Sequence, residues 1–168
     1  MKKILFSITA ICTLTLMLGS CYKKSDDLLQ PNADAAIADA MKSTEGVDGR
    51  VVFTQVVQLE GRQEVPAVST ETKGIAILRV TEDKKLYSKV IIQKLASGDA
   101  LRFAHVHAGA LGANGPVRIA LADNAADFGV NKVLQLTDAQ FTFITTGAAY
   151  VNAHSNFFPS GIVRGQIR

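Results

Sequence analysis

From Arg50 onward the chain is a succession of short β-branched or aromatic runs closed by turn-forming residues, a pattern that favours an antiparallel β fold. The first run, Val51–Leu59, has the composition of a strand throughout. Further strand candidates are Gly74–Thr81, Leu86–Leu95, Leu101–Ala108, Pro116–Ala122, Tyr150–His154 and Ile162–Ile167. Between them lie Glu82-Asp83-Lys84, Ser97-Gly98-Asp99, Asn114-Gly115-Pro116 and Pro159-Ser160-Gly161, residues that break strands and close turns. About seven short strands with frequent turn signals predict an all-β sandwich or barrel. At most one short helix fits, over Asp138–Thr145, with Thr137 as its cap and Gly147 as its stop. The run Phe141-Thr142-Phe143-Ile144 inside it also suits a strand.

Both cysteines, Cys12 and Cys21, precede this region. Lys2 and Lys3 are followed by Ile4–Leu18 without a charge, a run shorter than the roughly 20 residues that span a bilayer. A basic start, a short apolar run and small residues before a cut are the marks of a signal peptide, here residues 1–20. The site Leu18-Gly19-Ser20-Cys21 resembles the lipobox of bacterial lipoproteins, which implies lipidation at Cys21 by palmitate-type acyl chains. An ordinary secretory signal ahead of a cysteine is the alternative. With Cys12 removed and Cys21 acylated, no thiol remains for a disulfide, so the domain must rest on its hydrophobic core.

Residues 21–47 are polar and poor in large apolar side chains, and read as a lipid-anchored tether with room for a short helix over Ala33–Lys42. Residues 48–168 form the β domain. Lys23-Lys24-Ser25-Asp26-Asp27 resembles the basic-then-acidic signal that sends some lipoproteins to the outer face of a Gram-negative outer membrane; a solvated leash is the plainer reading. Without residues 1–20, which carry two lysines and no acid, the net charge falls from +3 to +1. No basic stripe exists, so nucleic acid is not an expected partner.

Three segments stand out in the β region: Leu59–Val68, with Glu64 and Pro66; Ala104–Val117, with Asn114, Gly115 and Pro116; and Tyr150–Ser155, with Asn152, followed by Pro159–Gln166, with Arg164 and Gly165. In this order and spacing they resemble the CHRD domain, a module of chordin and of microbial secreted proteins. The resemblance covers nearly all of residues 50–168 and implies an immunoglobulin-like β-sandwich or barrel. Ile162 stands where the family usually has Glu, and Ala67 replaces a common second proline.

The three histidines all fall in these segments: His105, His107 and His154. Alternation puts His105 and His107 on one face of their strand, about 7 Å apart. Tyr150, Asn152 and His154 likewise share a face of theirs. Two readings follow. In the first, the histidines join Asn114, Gly115 and Asn152 in hydrogen bonds that hold the glycine-rich loop Gly109–Gly115 against the third segment. In the second, three converging imidazoles bind zinc or copper. The His-Val-His pair is similar to the copper-ligand strand of copper/zinc superoxide dismutase. A fourth histidine, a zinc-ligand loop and a disulfide are missing, which argues against that activity.

Glu64 and Arg164 are candidates for a partly buried pair, and Phe157-Phe158 for an adhesive patch or a plug at one end of the barrel. The expectation is a non-catalytic binding or structural module of the cell envelope, held by lipid and facing an envelope or extracellular protein or glycan. The alternative is a metal-binding protein or metalloenzyme built on the three histidines.

Overall fold

The computed structural model describes residues 46–168. The expected signal peptide, Cys21, the Lys23–Asp27 segment and the expected tether up to residue 45 lie outside the described residues. No helix among the described residues is long and apolar enough to cross a membrane.

The fold is all-β. Eight strands run β1 (Val51–Glu60), β2 (Lys73–Thr81), β3 (Lys85–Gln93), β4 (Leu101–Ala108), β5 (Val117–Ala122), β6 (Lys132–Gln135), β7 (Ala149–Ser155) and β8 (Val163–Gln166). They form one sheet in the order β5-β4-β7-β8-β1-β2-β3-β6, every neighbouring pair antiparallel. The sheet curls until β5 approaches β3, giving a nearly closed barrel or sandwich. Its central joint is slight, for β1 meets β8 through the single register pair Glu60↔Arg164. Seven strands match the expected runs. The eighth, β6, was not expected: its Val133 and Leu134 are exposed on an edge, so it lacks the alternation of a half-buried strand.

The apolar core follows from period-two alternation. Val57 and Leu59 of β1, Ala76, Leu78 and Val80 of β2, Ala104 and Val106 of β4, and Val151 and Ala153 of β7 all point inward. The Asp138–Thr146 segment is helical (α1), because its ends are satisfied locally. Thr137 and Gln140 form a reciprocal capping box, and the Gly147 N–H donates to Phe143 O at its close. Ile144 of α1 is fully buried, with Phe141 and Phe143 packed on the same core. The two phenylalanines at 157 and 158 part company: Phe158 packs against the core, whereas Phe157 is exposed. Ile162 is buried in the same apolar cluster.

Candidate functional site

On β4 and β7 the residues between the core positions face outward, yet Tyr150, Asn152, His154 and His107 are buried and Phe103 and His105 half-buried. Register places His105 opposite Asn152 and His107 opposite Tyr150. The next strand adds Arg164 opposite Asn152 and Gln166 opposite Tyr150. Tyr150 is 3 % exposed, Asn152 3 %, His154 6 %, His107 9 % and Arg164 1 %. The Gly109–Pro116 loop helps close this face. A second, polar layer therefore sits on the outside of the sheet, back to back with the apolar core.

Arg164 organises this layer. Its guanidinium donates to Asn114 Oδ1 (3.2 Å), Ala113 O (2.9 Å), Ala110 O (3.3 Å) and Gln166 Oε1 (3.3 Å). It also stacks 3.4 Å from the centroid of Tyr150. Asn114 donates to Val65 O at 2.7 Å, linking the glycine-rich loop to the β1–β2 connection. Gln166, to which the sequence assigns no role, donates to Gly109 O and Ala149 O. The loop is thus held by Asn114, Arg164, Gln166 and the Tyr150 hydroxyl, which accepts from the Gly115 N–H. Asn152 differs from expectation: its side chain meets His154 and not the loop.

Gly115 must be glycine, since a Cβ there would lie 1.6 Å from Ala108 O. Pro116 O accepts from the Ala108 N–H, closing the loop on the end of β4. Pro66 follows a cis peptide bond and is exposed beside Glu64. Gly165 is buried where β8 crosses β1, where a Cβ would lie 2.2 Å from Gln58 O.

The three imidazoles converge, with one ligand nitrogen from each lying within 4.8 Å of the others. Phe103 lies beside them, its ring 5.1 Å from His105 and 4.7 Å from His154. His107 Nδ1 is 2.8 Å from Gly115 O and donates to it, so Nε2, on the side of the other two rings, is the nitrogen without a protein partner. That Nε2 is buried without a partner, as is His105 Nδ1. His107 stacks on Tyr150 at 4.9 Å and an interplanar angle of 11°.

His154 Nδ1 is 3.0 Å from Pro159 O, and its Nε2 is 3.1 Å from Asn152 Oδ1. Burial lowers the His154 pKa to about 4, offset in part by the bond to Pro159 and reinforced by the neighbouring histidines and Arg102. A neutral ring has one N–H and cannot donate to both oxygens. With the proton held by Pro159 O, Nε2 carries the lone pair and accepts from the Asn152 amide once that amide makes a half-turn, so Asn152 has to swing aside before Nε2 can take another ligand. Burial and nearby His107 lower the His105 pKa as well, against the pull of Asp123. His105 and His154 therefore favour the uncharged form that ligates metals.

Three imidazole nitrogens are a donor set of the kind transition metals accept. Zinc–imidazole bonds of about 2.1 Å set tetrahedral N···N separations near 3.4 Å, so nitrogens as far apart as 4.8 Å would have to close by about 1.4 Å to share one ion. The Nδ1-to-carbonyl bonds of His107 and His154 are of the kind that orient ligating histidines.

Glu64 and Arg164 form no direct ion pair, although the guanidinium charge reaches the carboxyl. Desolvation raises the Glu64 pKa to about 7, against the opposing pull of Arg164. The missing bond has a physical reason: the Arg164 N–H groups are directed to the loop carbonyls, Asn114 and Gln166.

In comparisons with known proteins, the family model of the CHRD domain matches residues 55–167. No curated protein and no solved structure matches the chain.

Proposed function

Because the chain belongs to the CHRD-domain family, its function has to be sought in the site built on that fold, and we propose a non-catalytic binding module whose ligand is a transition-metal ion. His105, His107 and His154 would hold the ion, and zinc and copper both suit imidazole donors. The observation that carries this reading is the pair of buried, unpartnered nitrogens, His105 Nδ1 and His107 Nε2, inside a cluster of three converging rings. Buried polar atoms normally find partners, and two orphans on rings whose centroids are 5.7 Å apart call for a ligand.

When bound, a divalent ion supplies a positive charge that three neutral imidazoles leave uncompensated, together with an open coordination position. The chain's own part is to orient the rings through Gly115 O and Pro159 O. The Arg164 network keeps the covering loop in place. The basic start, apolar run and Cys21 give the module a setting: an envelope lipoprotein that displays the β domain on an acylated tether.

Titration of protein prepared without a polyhistidine tag tests the metal reading. Saturable uptake of one zinc or copper ion per chain, weakened in His105→Ala and in His107→Ala, is expected. No saturable uptake, or uptake indifferent to both substitutions, refutes it.

A further inference from the structure

β2 is buried from Gly74 to Thr81 without alternation, the pattern of a strand covered on both sides. Its core side is Ala76, Leu78 and Val80. Its other side carries Ile75 and Ile77, each 3 % exposed, which form a separate apolar cluster with Val56 of β1. Thr54 and Gln58, the β1 residues flanking Val56 on that face, are exposed, so the cover is local to β2. Among the described residues the apolar side chain packed on the two isoleucines is Val56, itself only partly buried. A fully buried side chain touches about six to twelve residues, and one half-buried valine cannot shut two isoleucines off from water. A further layer of chain has to lie over them.

The described residues begin at the edge of this patch. Gly46 and Val47 line a small cleft with Ile77, Arg79, Tyr87 and Lys89. Asp48 is fixed there twice: its N–H donates to the Tyr87 hydroxyl at 3.0 Å, and its carbonyl accepts from that hydroxyl at 3.2 Å. Gly46 has φ +96, a left-handed conformation of the kind that commonly follows the last turn of a helix. The helix expected over residues 33–42 can therefore run on to Glu45 and stop there. Within it Ala33, Ile37, Ala40 and Met41 recur at the three- and four-residue spacing of one helix face, while Asp39 and Lys42 fall opposite.

The lengths agree as well. Counted back from Gly46 at roughly 1.5 Å per residue, Met41 lies about 7.5 Å and Ile37 about 13.5 Å along a helix. Counted from Arg79, which pairs with Tyr87, Ile77 lies about 6.6 Å and Ile75 about 13 Å along β2. We propose that residues 33–45 dock as an amphipathic helix laid along the outer face of β2, with Met41 over Ile77 and Ile37 over Ile75. A second copy or another protein would have to reach the patch past residues 46–48, which already occupy its edge. The free leash then shrinks from residues 21–47 to residues 21–32, and its coil dimension from roughly 29 Å to roughly 19 Å. The inference is independent of the metal reading, because β1, β2 and β3 carry no histidine.

The test uses the full processed chain in detergent micelles, with labelled isoleucine and methionine methyl groups. Met41 is the sole methionine after residue 20, so its methyl gives one signal. Nuclear Overhauser contacts from that methyl to the Ile75 and Ile77 methyls are expected. Amide exchange across residues 33–45 should be at least about tenfold slower than in an unfolded chain. Ile37→Asp should abolish both effects while the β7 amides keep their protection, and Lys42→Glu, on the opposite face, should leave both in place. Ile37→Ala supplies a milder loss should Ile37→Asp prevent folding. Contacts that persist when labelled chains are diluted with unlabelled ones lie within one chain, whereas contacts that fade belong to a second copy and overturn the proposal. Exchange at unfolded-chain rates across residues 33–45, or protection that survives Ile37→Asp, overturns it equally.

Discussion

Replacing Arg164 by methionine tests what holds the covering loop over the histidines. Methionine keeps much of the aliphatic volume, so the change removes polar contacts and leaves little cavity. Lost are the donors to Asn114 Oδ1, Ala110 O, Ala113 O and Gln166 Oε1, and the cation over Tyr150. Ala110 and Ala113 are exposed, so water can replace part of the loss, and each carbonyl costs nearer about 1 kcal/mol than 3. A desolvated cation–π contact adds roughly 2 kcal/mol. Against this, a buried charge no longer has to be desolvated, which returns part of the sum. The net expectation is a loss of about 2–4 kcal/mol, a sizeable share of a typical domain's stability. Denaturant unfolding followed by circular dichroism measures it, and hydrogen exchange at Gly109–Gly115 should accelerate alongside. Arg164→Lys should recover little, because an ammonium cannot span the same set of acceptors. A loss under about 1 kcal/mol with unchanged loop exchange would refute the assignment of Arg164 as the organiser of this layer.

Gly115→Ala drives a Cβ into Ala108 O and displaces both the Gly115 carbonyl that holds His107 and the Pro116 carbonyl that closes β4. A cost above about 2 kcal/mol in denaturant unfolding is expected, and a variant as stable as the parent contradicts the packing described. Stability against pH carries opposed contributions in the metal-free protein, Glu64 on one side and His154, joined by the lowered His105, on the other. Glu64, raised to about 7 from 4.5, keeps a proton that the unfolded chain releases, so stability falls as pH rises from 4.5 through about 7. His154, lowered to about 4 from 6.5, stays neutral while the unfolded chain takes up a proton, so stability falls as pH drops from 6.5 through about 4. Each amounts to on the order of 2 kcal/mol after allowance for solvent screening. They nearly cancel between about pH 4.5 and 6.5, and Glu64→Gln should uncover a stability that rises with pH there. A Glu64→Gln profile parallel to the parent's would rule out the Glu64 contribution.

Alternation made much of this layer legible before any coordinates. It placed His105 with His107, and Tyr150 with Asn152 and His154, on common faces. It could not show that β4 and β7 are neighbours, for their segments are separated by β5, β6 and α1. Nor could it show that the face opposite Ala104 and Val106 is buried, because its cover comes from distant loops. The Arg164 partners were illegible for a different reason: they are mostly backbone carbonyls, which every residue carries. Glu64 with Arg164 was the natural guess from charge alone. β6 escaped because its pairing with β3, more than its own residues, makes it a strand.

The single register pair between β8 and β1 has a mechanical consequence. It divides the sheet into two leaves, β5-β4-β7-β8 and β1-β2-β3-β6, sharing one narrow hinge. All three imidazoles ride on the first leaf, whereas Glu64 and the Val65 carbonyl that receives Asn114 belong to the second. The leaves are joined there less by the ladder than by the apolar core they share and by Gly165 packed on Gln58. The imidazole cluster is independent of that seam, because the carbonyls of Gly115 and Pro159 that hold His107 and His154 lie on connections of the first leaf itself.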